Sequence, residues 1–303
     1  MNRIGLLETL SQENIEYCEN CPLAPYTTFR IGGPAGLAVF PKSSGEAVKA
    51  LGAVRSSGMR YLVLGNGSNV LIDDGGFDGA VVILTGMRAF SVGNGFITAD
   101  AGLSLTRLAS IAAANSLTGL EFAYGIPGTV GGGVYMNAGA YGGELAQIAV
   151  SSRWYDMETG EIGEYSGAEQ DFSYRHSVYM NDRKIILSAT FRLAPGERDK
   201  IGAAMDDYMS RRREKQPLEL PSAGSVFKRG NGFITAKLIE DAGLKGMQAG
   251  GAQVSEKHAG FLINRGGATA ADFIALKEKV QAAVKERFGV QLEPEVRILG
   301  SEK

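Results

Sequence analysis

The chain has 303 residues, 44% of them hydrophobic, which is enough apolar material for a packed core and, at this length, for two or three compact domains. Its charge is nearly balanced, 31 Lys plus Arg against 33 Asp plus Glu, which excludes the whole-molecule basic footprint of a nucleic-acid or membrane-surface binder and favours a small-molecule partner. No run of about 18 apolar residues occurs and the N-terminus carries no apolar signal core, so the sequence reads as cytoplasmic, with no membrane partner.

A short amphipathic stretch with Glu8 and Glu13 opens the chain. Cys18 and Cys21 follow as a single Cys-x-x-Cys. One pair cannot supply four zinc ligands, and His176 and His258 lie far away in sequence, so two reduced thiols near a strand end are expected and no metal. From Gly36 to about Phe191, β-rich runs alternate with glycine turns: 37–40, 61–64, 80–84, 96–99, 150–155 and 185–191. Two helices interrupt them. One is opened by the capping box Ser43-Ser44-Gly45-Glu46 and places Ala47, Val48, Leu51 and Val54 on one face; the other starts near Ser104 with Leu105, Leu108, Ile111 and Ala112. Beyond Pro195-Gly196 the composition shifts to a charged helix from Glu197 to Lys215, stopped at Pro217, then helical segments at 236–242 and 270–288 and a last strand at 295–299. The pattern is α+β rather than doubly wound, with a domain boundary at 195–196.

Glycine is the compositional outlier, 42 of 303 residues and about twice the usual share. It gathers in three segments. In Gly65-Asn66-Gly67-Ser68-Asn69 the glycines permit positive φ and close approach, and the short polar side chains offer donors, as in an anion-binding concavity; an ordinary turn between strands accounts for the spacing equally well. Residues 125–142, containing Gly125, Pro127, Gly128, Thr129, Gly132, Asn137, Ala138, Gly139 and Tyr141, hold seven glycines in eighteen positions, yet carry too much Val, Tyr and Met for a solvated linker. A flat ligand packed against them is expected. They do not form the Rossmann Gly-x-Gly-x-x-Gly or a P-loop. In Tyr26 to Gly33, the Thr27 and Thr28 hydroxyls and Arg30 are candidate donors to a diphosphate, although a strand with Thr present for propensity reads as well.

Together these three segments resemble the FAD-binding half of the UDP-N-acetylenolpyruvoylglucosamine reductases. Tyr174-Arg175-His176-Ser177, Arg212 to Pro217, Ser222 to Lys228, Gly251 to Gly260 and Leu292 to Arg297 extend the likeness in order, over about residues 20 to 300. The resemblance implies the two-subdomain FAD-binding fold of the vanillyl-alcohol-oxidase type over 1–195 (about 1–85 and 86–195) and a C-terminal α+β substrate domain over 196–303. It also implies noncovalent FAD, NADPH as reductant, and a UDP-sugar enolpyruvyl ether reduced to UDP-N-acetylmuramate for peptidoglycan. Arg175, Ser225 and Glu295 match the family's catalytic positions. Thr28, Arg30, residues 65–69 and the named residues of 125–141 fall to the cofactor, and Lys215 and Arg229 to the substrate. Arg229-Gly230 stands where many members have Asn-Pro, and the stretch after it lacks a long insertion, as in the shorter subclass.

Two rivals stay open at this level. An oxidase on the same flavin scaffold would be bleached by an alcohol rather than NADPH, and the absence of His and Cys from the glycine-rich segments argues against the tethered flavin common in such oxidases. A nonenzymatic nucleotide binder would lack turnover. The sequence has no coiled-coil stripe, and a monomer is expected.

Overall fold

The computed structural model describes residues 3–230 and 232–300. Contacts divide the chain into two units: Met1–Glu19, Gly36–Asn66 and Gly79–Ser210 form one, and Asn20–Ala35, Gly67–Asp78 and Arg211–Lys303 the other. Composition alone put a single boundary at 195–196. The structure puts the late crossing inside a helix and counts two early segments with the C-terminal part, because long-range contacts outweigh chain order there.

In the first unit, helices α1 (Arg3–Gln12), α2 (Ser44–Ser57) and α3 (Leu105–Ala114) accompany two sheets. One, most of whose residues fall in this unit, runs Glu16–Pro22, Pro34–Phe40, Phe77–Ile83, Tyr61–Leu64 in spatial order, the last pair parallel. The other is wholly antiparallel, in the order Ile162–Ser166, Ala149–Asp156, Lys184–Arg192, Phe96–Asp100, Phe90–Gly93. The helix starts are local. The Ser43 hydroxyl accepts from Glu46 N at 3.2 Å and Ser104 from Arg107 N at 3.2 Å, each satisfying an otherwise unpaired first-turn amide. The Glu46 carboxylate reaches back to Lys42 N rather than Ser43 N, so the expected capping box is only half made. Buried Ala47, Leu51 and Val54 of α2 and Leu105, Leu108 and Ile111 of α3 join Val82, Ile97 and Phe191 in one apolar core. Gly58 closes α2 at φ +70.

The second unit has its own core, in which Phe29, Ile31 and Leu71 from the early segments pack with Phe227, Leu262, Phe273 and Val280. Its antiparallel sheet runs Ser222–Ser225, Phe261–Asn264, Ala252–Val254, Gln248–Ala249. Three contacts explain why the early segments belong here. The Phe29 and Phe273 rings meet edge-on at 5.0 Å, buried Asn264 donates to Phe29 O at 3.1 Å, and the Asp74 carboxylate accepts from Ala270 N and Ala271 N. Those two amides begin α7 (Ala270–Phe288), where a carboxylate also meets the positive end of the helix dipole. The closing strand expected over 295–299 is formed by Arg297–Leu299 and lies parallel to Val70–Ile72. Helix α5 (Arg198–Lys215) runs from the first unit into the second, and α6 (Thr235–Asp241) completes the helices named here apart from a short one at the site. No helix among the described residues is long and apolar enough to cross a membrane.

Candidate active site

In the first unit the glycine-rich segments lock onto one another through short polar bonds. The Asn66 carboxamide donates to Pro127 O at 2.8 Å. A Cβ at Gly65 would overlap Thr129 Oγ1, so only glycine fits against that hydroxyl. Buried Thr129 caps a short helix, α4 (Val130–Tyr135), its Oγ1 accepting from Gly132 N. Gly132 itself is exposed, and a Cβ there would meet nothing closer than Thr129 Oγ1 at 3.6 Å. The segment thus offers backbone amides and bare Cα atoms rather than side chains, which suits close approach by a flat, phosphate-bearing group.

Asn137, a candidate cofactor residue, is fully buried with its side-chain amide bonded to the protein: Nδ2 donates to Ser173 O at 3.0 Å and Oδ1 accepts from Ala146 N at 2.9 Å. With the Ser177 hydroxyl, which donates to Tyr135 O at 2.8 Å, it brackets the turn Ser173–His176 against the glycine-rich segment. Ser173 and His176 exchange both backbone bonds across that turn, and Arg175 sits in it at φ +55. The Arg175 guanidinium donates to Gly139 O at 3.4 Å and lies 5.2 Å from the centre of the Tyr174 ring.

Positive φ is costly for a large side chain, on the order of 1–2 kcal/mol. Nine described non-glycine residues adopt it, and most are Asn, Asp or Ser, which tolerate it. The three large ones are Arg30, Tyr141 and Arg175, all candidate site residues. Backbone strain therefore concentrates where function is expected.

A cavity of about 540 Å³ opens in the same unit, lined by Asn66, Thr85, Arg88, Phe90, Leu103, Ser104 and Arg107. The two arginines give it a cationic wall, and Arg88 is steadied by donating to Thr85 O at 2.7 Å. Sequence reading missed both. Arg107, three residues after the capping Ser104, stood at a position that capping logic could have placed on the first turn of α3.

In the second unit, Gly67 is at φ +58, and a Cβ there would press on Tyr26 O at 2.5 Å. Thr28 N donates to Gly67 O, joining the Tyr26–Gly33 segment to the turn at 65–69. The Thr28 hydroxyl donates to Ser222 O at 2.7 Å and the Thr27 hydroxyl points at Ala24 O and Ile31 O, so neither supplies the side-chain donor expected for a diphosphate. Arg30 is exposed, with Nη1 donating to Pro25 O at 3.4 Å. Asn69 Nδ2 donates to Glu295 O at 3.2 Å and Asn69 O accepts from Arg297 N, which ties the glycine turn to the C-terminal strand.

Ser225 ends a bulged strand after Gly224 at φ +75, and it is exposed. Beside it, Val226 O accepts from Glu295 N at 2.7 Å and Val226 N donates to Gly260 O at 2.9 Å. The backbone of half-buried Glu295 is thereby tied to Val226, the residue after Ser225, and an ion pair between Lys228 and Glu293 closes the same edge. Lys215, the last residue of α5, and Arg229 are exposed, whereas Arg212 is buried and donates to Gln216 Oε1. His258 has the structural role expected of it: its Nδ1 accepts from Gly260 N at 3.1 Å, and burial lowers its pKa, so the neutral ring is favoured.

Similarity to known proteins covers the whole of this arrangement. Residues 216–299 match the family model described as UDP-N-acetylenolpyruvoylglucosamine reductase, C-terminal domain, and residues 35–165 match the FAD binding domain. The reductase of Lactobacillus acidophilus is 47% identical, spanning 98% of this chain and 99% of its own, and that of Levilactobacillus brevis is 49% identical over 93% and 92%. The solved structure of UDP-N-acetylenolpyruvylglucosamine reductase from Thermus caldophilus superimposes with a TM-score of 0.79 at 30% identity, covering 94% of this chain and 98% of that one.

Proposed function

The chain belongs to the UDP-N-acetylenolpyruvoylglucosamine reductase family, and from that premise we propose the following reaction and assignment of residues. The protein is an FAD-dependent oxidoreductase that reduces the enolpyruvyl group of UDP-N-acetylglucosamine enolpyruvate, giving UDP-N-acetylmuramate for peptidoglycan. It acts as a cytoplasmic monomer. FAD, when bound, would supply the hydride that reduces the β-carbon of the enolpyruvyl ether, with NADPH as the source of its electrons. The glycine turns suit that group: Gly65, Gly67 and Gly132 leave room at the backbone, and the nearby side chains are neutral amides and hydroxyls rather than nucleophiles that would tether a flavin. Gly125, Pro127, Gly128, Thr129, Ala138, Gly139 and Tyr141 line the cofactor with Asn66, Ser68 and Asn69, and the cavity walled by Arg88 and Arg107 takes an anionic part of a nucleotide.

Arg175 holds the pyruvyl carboxylate. As hydride arrives at the β-carbon, negative charge grows into that carboxylate, and a cation fixed in advance lowers the energy of the charged state more than that of the substrate. The observation that supports this reading is the way Arg175 is held: a positive-φ turn, bracketed by fully buried Asn137 and by Gly139 O, keeps the guanidinium from wandering. Ser225 then delivers a proton to the α-carbon. A lone hydroxyl is a weak acid, so Glu295, whose N–H bonds to Val226 O beside Ser225, orients the enol and supports the transfer. Lys215 and Arg229 hold the substrate's diphosphate.

Anaerobic stopped-flow absorbance tests the proposal. NADPH bleaches the flavin band, and mixing with UDP-N-acetylglucosamine enolpyruvate restores it rapidly. Bleaching without return would point to another acceptor, and bleaching by an alcohol instead of NADPH would favour an oxidase.

A further inference from the structure

The rings of Tyr141 and Tyr208 lie parallel, interplanar angle 0°, with centroids 4.7 Å apart. Tyr208 is on α5 and has no place in the reaction described above. Tyr141 is the first of two residues at the tip of a minimal hairpin, Gly139–Ala140 paired with Gly143–Glu144. Both tip residues have positive φ, +54 at Tyr141 and +87 at Gly142, the signs of a type I′ turn, whose first position ordinarily takes Asn, Asp or Gly. A tyrosine is a strained choice there. The stack on Tyr208 supplies the reason for it, since an aromatic pair stabilises the strained tip.

The hairpin carries this constraint inward. A Cβ at Gly139 would fall 2.7 Å from Gly143 O, and one at Gly143 would fall 2.5 Å from the Phe122 ring, so the two strands are closed on each other and seated on Phe122 with no slack. The base of the hairpin is Gly139, whose carbonyl oxygen accepts from the Arg175 guanidinium. The ring at the tip and the carbonyl at the base thus belong to one stiff element.

We propose that Tyr208 is a positioning residue for Arg175: it clamps Tyr141, fixes the hairpin, and so fixes the carbonyl that aims the guanidinium. The inference rests on the role given to Arg175 above. It assigns to α5 a share in the reaction that no charged or polar group of that helix needs to perform.

Four variants of the FAD-loaded enzyme test it: Tyr208→Leu, Tyr208→Phe, Arg175→Gln and the double variant Tyr208→Leu/Arg175→Gln. A misplaced cation raises the barrier without removing the charge, so Tyr208→Leu slows flavin reoxidation at saturating enolpyruvyl substrate about 10- to 100-fold. Tyr208→Phe, which keeps the stack, restores the wild-type rate. In the Arg175→Gln background Tyr208→Leu adds no further slowing, since there is no guanidinium left to aim. Near-ultraviolet circular dichroism follows the stacked pair independently of turnover: both variants lose the Tyr208 contribution to the tyrosine band, but Tyr208→Phe keeps an aromatic ring against Tyr141, so the remaining band departs further from that of the wild type in Tyr208→Leu. If Tyr208→Leu does not fold, Tyr141→Gly removes the same stack while relieving the positive φ, and the same slowing is expected. Wild-type reoxidation in Tyr208→Leu, or equal slowing with and without Arg175, overturns the inference and leaves the role of Arg175 standing. Wild-type reoxidation in Arg175→Gln instead removes the reading of Arg175 itself, and the inference with it.

Discussion

Arg175 and Ser225 are supported in opposite ways. Arg175 is held by a turn at positive φ, by fully buried Asn137 behind it, and by the carbonyl of a hairpin with no slack. Ser225 stands exposed at the end of a bulged strand, paired there with Phe261 and flanked by the backbone bonds of Val226 with Gly260 and Glu295. The difference follows from the tasks proposed for them. A fixed charge stabilises a growing one only if it need not reorganise, so rigidity is the catalytic property. A proton donor must meet a carbon whose position is set by the bound substrate, and an open edge gives it access.

The comparison breaks most decisively at the two side chains themselves. Ser225→Ala should leave bleaching of the flavin by NADPH nearly intact while product formation falls on the order of 10²- to 10⁴-fold. Equal loss of both steps would remove Ser225 from the donor role. Arg175→Gln should slow the return of the flavin band by roughly 10²- to 10³-fold. Arg175→Lys should recover little of that, because a point charge cannot reproduce a planar group held by Gly139 O.

Next in size is the bracket. Asn137→Ala takes from Ala146 N its acceptor and from Ser173 O one of its two donors, the other being His176 N, at a cost of about 1–2 kcal/mol in stability. Urea unfolding measures it. Reoxidation should slow as well, since the Arg175 turn loses its anchor, whereas an Asn137 that served the cofactor directly would weaken FAD retention with little change in stability.

These two supports were unequally legible in the sequence. Helix starts at Ser43 and Ser104 could be read because capping is a local affair of three or four residues. The final strand and the charged helix ending before Pro217 were readable for the same reason. Helix α4 was not: three successive glycines argue against a helix, and what forces it is tertiary, since a Cβ at Gly131 would press on Ala101 and one at Gly133 on Leu105 and Leu145. Asn137 and Thr28 were assigned to the cofactor because a short polar side chain in a glycine-rich segment looks the same from the sequence whether it faces a ligand or a carbonyl. The partner of Thr28 is Ser222, 194 residues later. No spacing rule reaches that far. The motif order from Tyr26 to Arg297 carried the family, and the family carried the roles; Tyr208, in a charged helix, gave no signal at all.

The smallest effect separates the two supports by pH. His258 lies in the loop whose Gly260 O accepts from Val226 N beside Ser225, and its own Nδ1 accepts from Gly260 N, packed edge-on to Phe261 at 4.9 Å. Burial lowers its pKa, with nearby Lys245 pushing the same way, against the local backbone bond and Glu240. The unfolded chain therefore binds a proton more readily than the folded one. Well above the unfolded value both states are neutral at this residue and it adds no pH dependence. As pH falls through the unfolded value of about 6.5 toward the lower folded value, stability is lost, and the loss levels off below the folded value. His258→Asn offers Gly260 N a carbonyl acceptor in place of the ring nitrogen and does not titrate. Its unfolding free energy between pH 7 and about 5.5 should be flatter than that of the wild type. Identical slopes in the two proteins would mean that the His258 ring protonates in place without disturbing the wall behind Ser225.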